Sequence, residues 1–381
     1  MLEILGSNQI NTFFPNKIQF ESKGLPMSKS KISSAVVIDA ANTDFLFCSA
    51  AGNGAPTVRS VANHHIGAHF DEDFFKNFSE ALKSFAKSMP SGMSRKITVV
   101  LPDRAVLTDS VQLPAMRSTD RTEKMLDITL RNLYREDHSL QIVSREALRS
   151  KQYVTYTVAA VQKRWVADIY KACSENKLTV DTLTYASGAA IAGAVTVNPA
   201  LKNASYLFLD IKSNSARFVF VADGKTVGHY ALPFGYEFLE NTQTTDERAL
   251  FDHSYAELIV LNAREAAQEK ALSVTAPGAQ HPNTGSKTRE DSLIEKFRIF
   301  IKWALLLLDG NESLTSIAKP SFLCVNLPDA LRPVLDRANG EIRENGISIL
   351  PLCEGSRQDA LAHLELYGGL FPKQIDPMSK F

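Results

Sequence analysis

The chain has 381 residues, of which 44% are hydrophobic and 22% are charged. This length suits two or three domains, and the composition is that of an ordinary globular protein. Since 42 basic residues balance 42 acidic ones, there is no electrostatic basis for binding nucleic acid or an anionic membrane.

Cysteine usage and the apolar runs favour a cytoplasmic protein. The four cysteines form no Cys-x-x-Cys pair, which favours buried free thiols in a reducing compartment. The start of the chain lacks the basic residues and apolar run of a signal peptide, and the longest apolar run, at residues 303–308, is too short to span a bilayer. Residues 1–33 are predicted to be a flexible extension, with the true start at Met1 or Met27.

Strand and helix patterns alternate along the first half of the chain. Alternating apolar residues predict a hairpin in residues 34–50, with its turn at 41–44. Helical spacing predicts helices at residues 71–88, 119–134, 165–176 and 186–195. Runs of β-branched and apolar residues predict strands at residues 96–101, 105–113, 152–161 and 178–183.

The second half begins with a similar pattern. A second hairpin is predicted within residues 206–227, and residues 273–290 have the Pro, Gly, Ser and Thr content of an exposed loop. The remaining predicted elements are strands at residues 322–325 and 347–350, and helices at 246–271, 292–308, 329–338 and 359–367.

The two hairpins share one arrangement. In each, an apolar strand ends in an aspartate, Asp39 or Asp210, and a short polar turn leads to a second strand. The aspartates lie 171 positions apart, and this repeat indicates an internal duplication. A carboxylate at a strand end can hold hydrated magnesium, and the backbone N–H groups of the turn can bind phosphate. Two such turns facing each other would clamp a triphosphate between two lobes.

This arrangement resembles the actin-like ATPase superfamily. Residues 96–116, 153–166 and 169–190 resemble the small subdomain of PilM, the cytoplasmic assembly protein of type IV pili. Residues 230–240, 291–310 and 363–371 also match that family. The resemblance implies an α/β fold: two-lobed, actin-like, built from a duplicated ribonuclease H-like unit, with a small inserted α+β subdomain.

The resemblance also implies domain boundaries. The first lobe is predicted at residues 34–93 and 185–204, and the inserted subdomain at 94–184. The second lobe is predicted at residues 205–371, and a tail at 372–381.

By the same resemblance, a nucleotide site would lie between the lobes. The residues that match positions contacting ATP and Mg²⁺ are Asp39, Asn42, Thr43, Asp210, Ser213, Ser215 and Asn326. The glycines of the superfamily's Asp-x-Gly loops are replaced by Ala41 and Lys212, and Asn326-Leu327 replaces a glycine pair. Side chains there crowd the backbone approach to phosphate. We therefore expect lost or weak ATPase activity and assign no catalytic residue, although the retained aspartates leave ATP binding open.

Two other polar groups are predicted to have no catalytic or metal-binding role. His65 and His69 have the i, i+4 spacing of metal ligands, but the glycine between them favours a polar surface connection. Asp103, Asp109 and Asp120 lie around turns and strands, a pattern typical of solvated turn residues. No metal centre is predicted.

The function implied is a cytoplasmic scaffold of a type IV pilus or type II secretion-like machine, peripheral to the inner membrane through its partners. By the resemblance, the partner is the cytoplasmic tail of a membrane-anchored PilN-type protein, in a groove beside residues 96–116 and 153–161. Exposed backbone edges there could take an added strand. Self-association stays open, and neither nucleic-acid binding nor direct membrane insertion is expected.

Two alternatives remain at this point. The first is an active actin-like ATPase, which needs backbone room at the phosphates. The second is an FtsA-like filament-forming membrane adaptor, which carries a C-terminal amphipathic helix. Residues 369–381 contain two prolines and no apolar stripe, and this pattern disfavours such a helix.

Overall fold

A computed structural model describes the chain over discontinuous ranges. These are residues 34–39, 44–49, 57–62, 70–89, 91, 93–116, 118–134, 139–212, 216–232, 235, 294, 297, 320–327, 335, 337, 348–352, 363–377 and 380–381. The extension at 1–33, the loop at 273–290 and the helices predicted at 246–271 and 292–308 lie wholly or almost wholly outside them.

Within the described ranges, thirteen strands, five α-helices and two short 3₁₀ turns have defined bounds. The strands are β1 Ser34–Asp39, β2 Asp44–Ser49, β3 Thr57–Ala62, β4 Lys96–Leu101, β5 Leu107–Pro114, β6 Leu140–Arg149, β7 Tyr153–Gln162, β8 Thr179–Tyr185, β9 Tyr206–Ile211, β10 Ala216–Ala222, β11 Lys225–Leu232, β12 Phe322–Asn326 and β13 Ser348–Pro351. The helices are α1 Glu72–Ser88, α2 Thr119–Tyr134, α3 Lys163–Glu175, α4 Ala186–Val197 and α5 Leu364–Gly369. The 3₁₀ turns are Asp103–Ala105 and Pro199–Asn203.

Two five-stranded sheets have the same topology. Their strand orders are β3-β2-β1-β4-β8 and β11-β10-β9-β12-β13. In each, three antiparallel strands are followed by two parallel ones. The central strands β9 and β10 are buried along their whole length, as the continuous apolar runs predict. In the structure, the first lobe is the first sheet with α1 and α3, and the second lobe is the second sheet. These definitions replace the residue ranges predicted for the two lobes.

Helix α1 covers the outer face of the first sheet. The Asp71 carboxylate accepts a hydrogen bond from the N–H of Phe74 (2.9 Å), which caps the helix. Phe74, Phe78, Leu82 and Phe85 recur at helical spacing and are buried in the core of this lobe, so their spacing decides which face of α1 packs against the sheet.

Helices α4 and α5 form a layer between the two sheets. Ala186 and Ala189 of α4 pack in a cluster with the first sheet, while Ala190 and Ile191 pack with the second. The small residues of α4 are buried on all sides. A helix that is apolar all round is typical of such a central layer.

A third, smaller sheet carries its own core. Its order is β5-β7-β6, and Leu126 and Leu130 of α2 pack on one of its faces. Strands β4 and β8 lie in the first sheet, so the inserted sheet spans a shorter range than the predicted 94–184. In the predicted tail, the N–H of Phe381 donates to the carbonyl of Leu183 in β8 (2.9 Å).

Candidate functional site

Asp210, near the end of the first strand of the second hairpin, lies between two polar neighbours. Strand register places Asp210 of β9 opposite Arg217 of β10 and beside Asn326 of β12. Directly paired residues on neighbouring strands have their side chains on the same face and within contact distance. The fold therefore brings together three side chains from three strands.

These side chains bond directly to one another. Asn326 Nδ2 donates a hydrogen bond to Asp210 Oδ1 (2.8 Å), and Arg217 Nε lies 3.2 Å from Asp210 Oδ2. Asp210 is 0% exposed. Burial raises the pKa of the Asp210 carboxyl, because loss of hydration outweighs the attraction of Arg217 and Lys212.

Arg217 lies at the centre of a larger ionic cluster. Its Nη2 donates to Glu365 Oε1 of α5 (3.0 Å), and its Nη1 lies 3.3 Å from Asp103 Oδ2, in the turn after β4. Lys212 Nζ also pairs with Glu365 Oε1. Burial alone would raise the pKa of the Glu365 carboxyl, but Lys212 and Arg217 lower it to about 2.

Asp103 also caps the helix between the sheets. Its Oδ1 accepts from the N–H of Ser187 (2.7 Å), and its Oδ2 accepts from the Ser187 hydroxyl (2.9 Å). Ser187 is in the first turn of α4, where unpaired N–H groups and the helix dipole favour an anion. The Asp103 carboxylate thus lies at the start of α4, where the helix favours an anion.

His229 of β11 closes the cluster on another side. Its Nδ1 lies 3.0 Å from the hydroxyl oxygen of Thr108, and its Nε2 lies 3.4 Å from the carbonyl oxygen of Asp103. Burial lowers the pKa of His229, although nearby Asp103 opposes that shift. The imidazole is therefore neutral near pH 7.

We call this set the Arg217 cluster. Its members are Asp103, Asp210, Lys212, Arg217, His229 and Glu365, with Ser187 and Asn326 as neutral hydrogen-bond partners. Within the described ranges, no group of three His, Cys, Asp or Glu side chains is placed to hold a metal ion. The charged members pair with one another. All members are buried except Lys212 and His229, which are half-buried, and none is fully exposed to solvent.

The structure describes only some of the site residues that the sequence predicted. Asp210 and Asn326 are in direct contact. The side chain of Asp39 lies outside the described residues. The other predicted residues outside them are Asn42, Thr43, Ser213 and Ser215, together with His65 and His69.

The prediction for Asp103 was wrong. It is a buried helix cap and ion-pair partner, only 7% exposed, rather than a solvated turn residue. Arg217 and Glu365 were missed altogether. One signal was available for Arg217, because a lone arginine in the apolar strand ARFVFVA needs a buried anion.

Comparison with known proteins rests on structure. No family model matches the chain, and no curated protein matches it. The type IV pilus biogenesis complex PilM–PilN superposes with a TM-score of 0.54 at 13% identity, covering 91% of this chain and 99% of that one. A Bacteroides thetaiotaomicron protein with an actin-like ATPase fold gives a TM-score of 0.42 at 7% identity, covering 90% and 96%. The cytoplasmic domain of EpsL, from the type II secretion system of Vibrio cholerae, gives 0.37 at 13% identity, covering 56% and 76%.

The two sheets of like topology and the superposition on the PilM–PilN complex show the fold, which is actin-like. Among actin-like folds, it is PilM-like. The fold expected from the two hairpins is therefore confirmed. No helix within the described residues is both long and apolar enough to cross a membrane.

Proposed function

We propose that the protein is a cytoplasmic scaffold of a type IV pilus or type II secretion-like machine and that it lacks efficient ATP hydrolysis. The fold shared with a PilM–PilN complex supports the scaffold role. The observation that carries the loss of ATPase activity is the pairing of Asp210 with Arg217 inside the protein. The proposed location is the cytoplasmic side of the inner membrane, reached through the partner.

The pairing supports loss of magnesium binding for two reasons. A carboxylate holds hydrated Mg²⁺ only where water and the ion can reach it, whereas Asp210 is completely buried. The guanidinium already lies 3.2 Å from the carboxylate oxygen, and its charge would repel a second cation at that distance. Lys212, which sits at a phosphate-loop glycine position, is paired with Glu365.

Calorimetry with Mg-ATP tests this part of the proposal. We expect no binding heat at millimolar ATP for the wild type or for Asp210→Asn, which keeps the size of the side chain and removes its charge. Micromolar binding that Asp210→Asn abolishes would overturn the proposed loss of Mg-ATP binding. The active ATPase would then be the favoured alternative.

The proposed partner is the cytoplasmic tail of a membrane-anchored PilN-type protein. One part of the predicted groove needs correction, because β4 lies between β1 and β8, and β7 lies between β5 and β6. Neither strand therefore has a backbone edge to offer. Within the described residues, β5 has a strand partner on one side only, and its outer edge remains a candidate for strand addition.

Site-specific photocrosslinking tests this edge. Gln112 is exposed on β5, and Lys83 is exposed on α1. A photoreactive residue at Gln112 should capture a bilayer-anchored protein with a short cytoplasmic tail, while the same residue at Lys83 should not. Folded protein that captures no such partner at Gln112 would overturn the β5 docking site. Native co-purification without any membrane-anchored partner would overturn the scaffold role itself.

A further inference from the structure

The Arg217 cluster joins parts of the chain that are distant in sequence. Arg217 belongs to the second lobe, Asp103 follows a strand of the first lobe, and Glu365 lies on α5 between the sheets. The contact between Arg217 and Glu365 spans 148 positions. One guanidinium thus contacts both lobes and the layer between them.

Helices α4 and α5, which form the layer between the sheets, are packed too closely to move past each other. A Cβ atom added at Gly193 of α4 would lie 2.3 Å from the carbonyl oxygen of Leu364, and one added at Gly368 of α5 would lie 1.9 Å from that of Ala189. The two helix backbones therefore touch, and both helices pack on both sheets. A rotation of one lobe against the other would have to break this contact or the ion pairs of Arg217.

Those ion pairs resist separation. Arg217 is 7% exposed and Glu365 is 2% exposed, so opening the interface would leave buried charges without partners. Removing one member of a buried ion pair is much more costly than losing an exposed pair. His229 adds a further link from the second lobe to the turn after β4, through the Asp103 carbonyl, and to β5, through Thr108.

We propose that Arg217 is an internal cation that holds the two lobes in one fixed orientation without any bound nucleotide or metal. The guanidinium supplies the positive charge between the Asp210, Asp103 and Glu365 carboxylates, and the Asp103 carboxylate supplies the anion at the start of α4. This inference deepens the proposed function. It rests on that function in one respect, namely that no nucleotide binds where Arg217 contacts the three carboxylates. The scaffold would then present one constant surface to its partner.

Distance measurements between the lobes test this proposal. Lys76 on α1 and Lys225 on β11 are exposed, one in each lobe. They can be replaced by cysteine and spin-labelled for double electron–electron resonance. Cys173 and Cys324 are buried and should resist labelling, while Cys48 and Cys353 are replaced by alanine. We expect one narrow distance distribution, identical with and without Mg-ATP.

Two substitutions should widen that distribution. Arg217→Gln removes the cation, and Asp103→Asn removes one ion pair while keeping an oxygen that can accept from Ser187. In both variants we expect a second population at longer distance. Arg131→Gln serves as the control because it removes a half-exposed ion pair within α2 that lies apart from the Arg217 cluster, and it should match the wild type. If Arg217→Gln does not fold, Asp103→Asn still decides the question.

The outcomes separate this inference from the proposed function. A wild-type distribution that shifts with Mg-ATP overturns both the internal cation and the loss of nucleotide binding. Folded Asp103→Asn protein with the wild-type distribution overturns the internal cation alone, and the scaffold role then depends on the crosslinking result.

Discussion

One methyl group added at Gly368 would test the packing of the layer between the sheets. The new Cβ in Gly368→Ala would lie 1.9 Å from the carbonyl oxygen of Ala189 and 2.8 Å from the backbone nitrogen of Gly193. Ordinary contacts begin at 3.4 Å, so α4 and α5 would have to separate by about 1.5 Å. Both obstacles are backbone atoms of another helix, so no side chain can rotate away to make room.

The expected cost follows from that separation. Overpacking a tight interface costs about 1–3 kcal/mol, and a backbone obstacle places this variant at the upper end. Alanine regains up to about 1 kcal/mol of helix propensity over glycine. The net loss in unfolding free energy should therefore be about 2 kcal/mol.

Urea unfolding followed by circular dichroism provides the measurement. Lys83→Ala, at an exposed position of α1, is the matched control and should change the unfolding free energy by less than about 0.5 kcal/mol. If Gly368→Ala unfolds at the urea concentration of the wild type, the close crossing of α4 and α5 is refuted.

Two more predictions concern ion pairs. The Glu365 carboxyl has its pKa lowered from 4.5 to about 2, so its stabilising effect is present above pH 4.5 and is lost as the pH falls toward 2. Glu365→Gln should therefore cost up to about 3 kcal/mol at pH 7 and progressively less below pH 4.5, in melting curves against pH; a constant deficit would contradict this. Arg145 of β6 donates to both carboxylate oxygens of Asp376 (3.0 Å) and to the carbonyl of Thr226 in β11 (3.3 Å). Arg145→Gln should speed hydrogen exchange in the small sheet, whereas Arg131→Gln should not. Equal exchange in both variants would show that these Arg145 contacts do not stabilise the small sheet.

Much of the fold could be predicted from local pattern. The predicted helix at residues 119–134 has the same bounds as α2, and the two predicted hairpins are β1–β2 and β9–β10. Periods of two and 3.6 residues are local properties that survive folding. Strands β3 and β6 were missed because their sequences, TVRSVA and LQIVSREALR, mix polar residues into the pattern. They form as strands because they pair with β2 and β7.

The candidate site, like the fold, could be predicted from the sequence only in part. The sequence by itself determined the apolar strand that carries Asp210, because strand patterning depends on neighbouring residues. Only the tertiary structure decided that Asp210 pairs with Arg217 and that Asp103 caps α4, 84 positions further along the chain. Charged residues in turns are usually solvated, and nothing local distinguishes Asp103 from that majority. Its role follows from the packing of the two lobes, which removes water and leaves each buried charge to be neutralised by another.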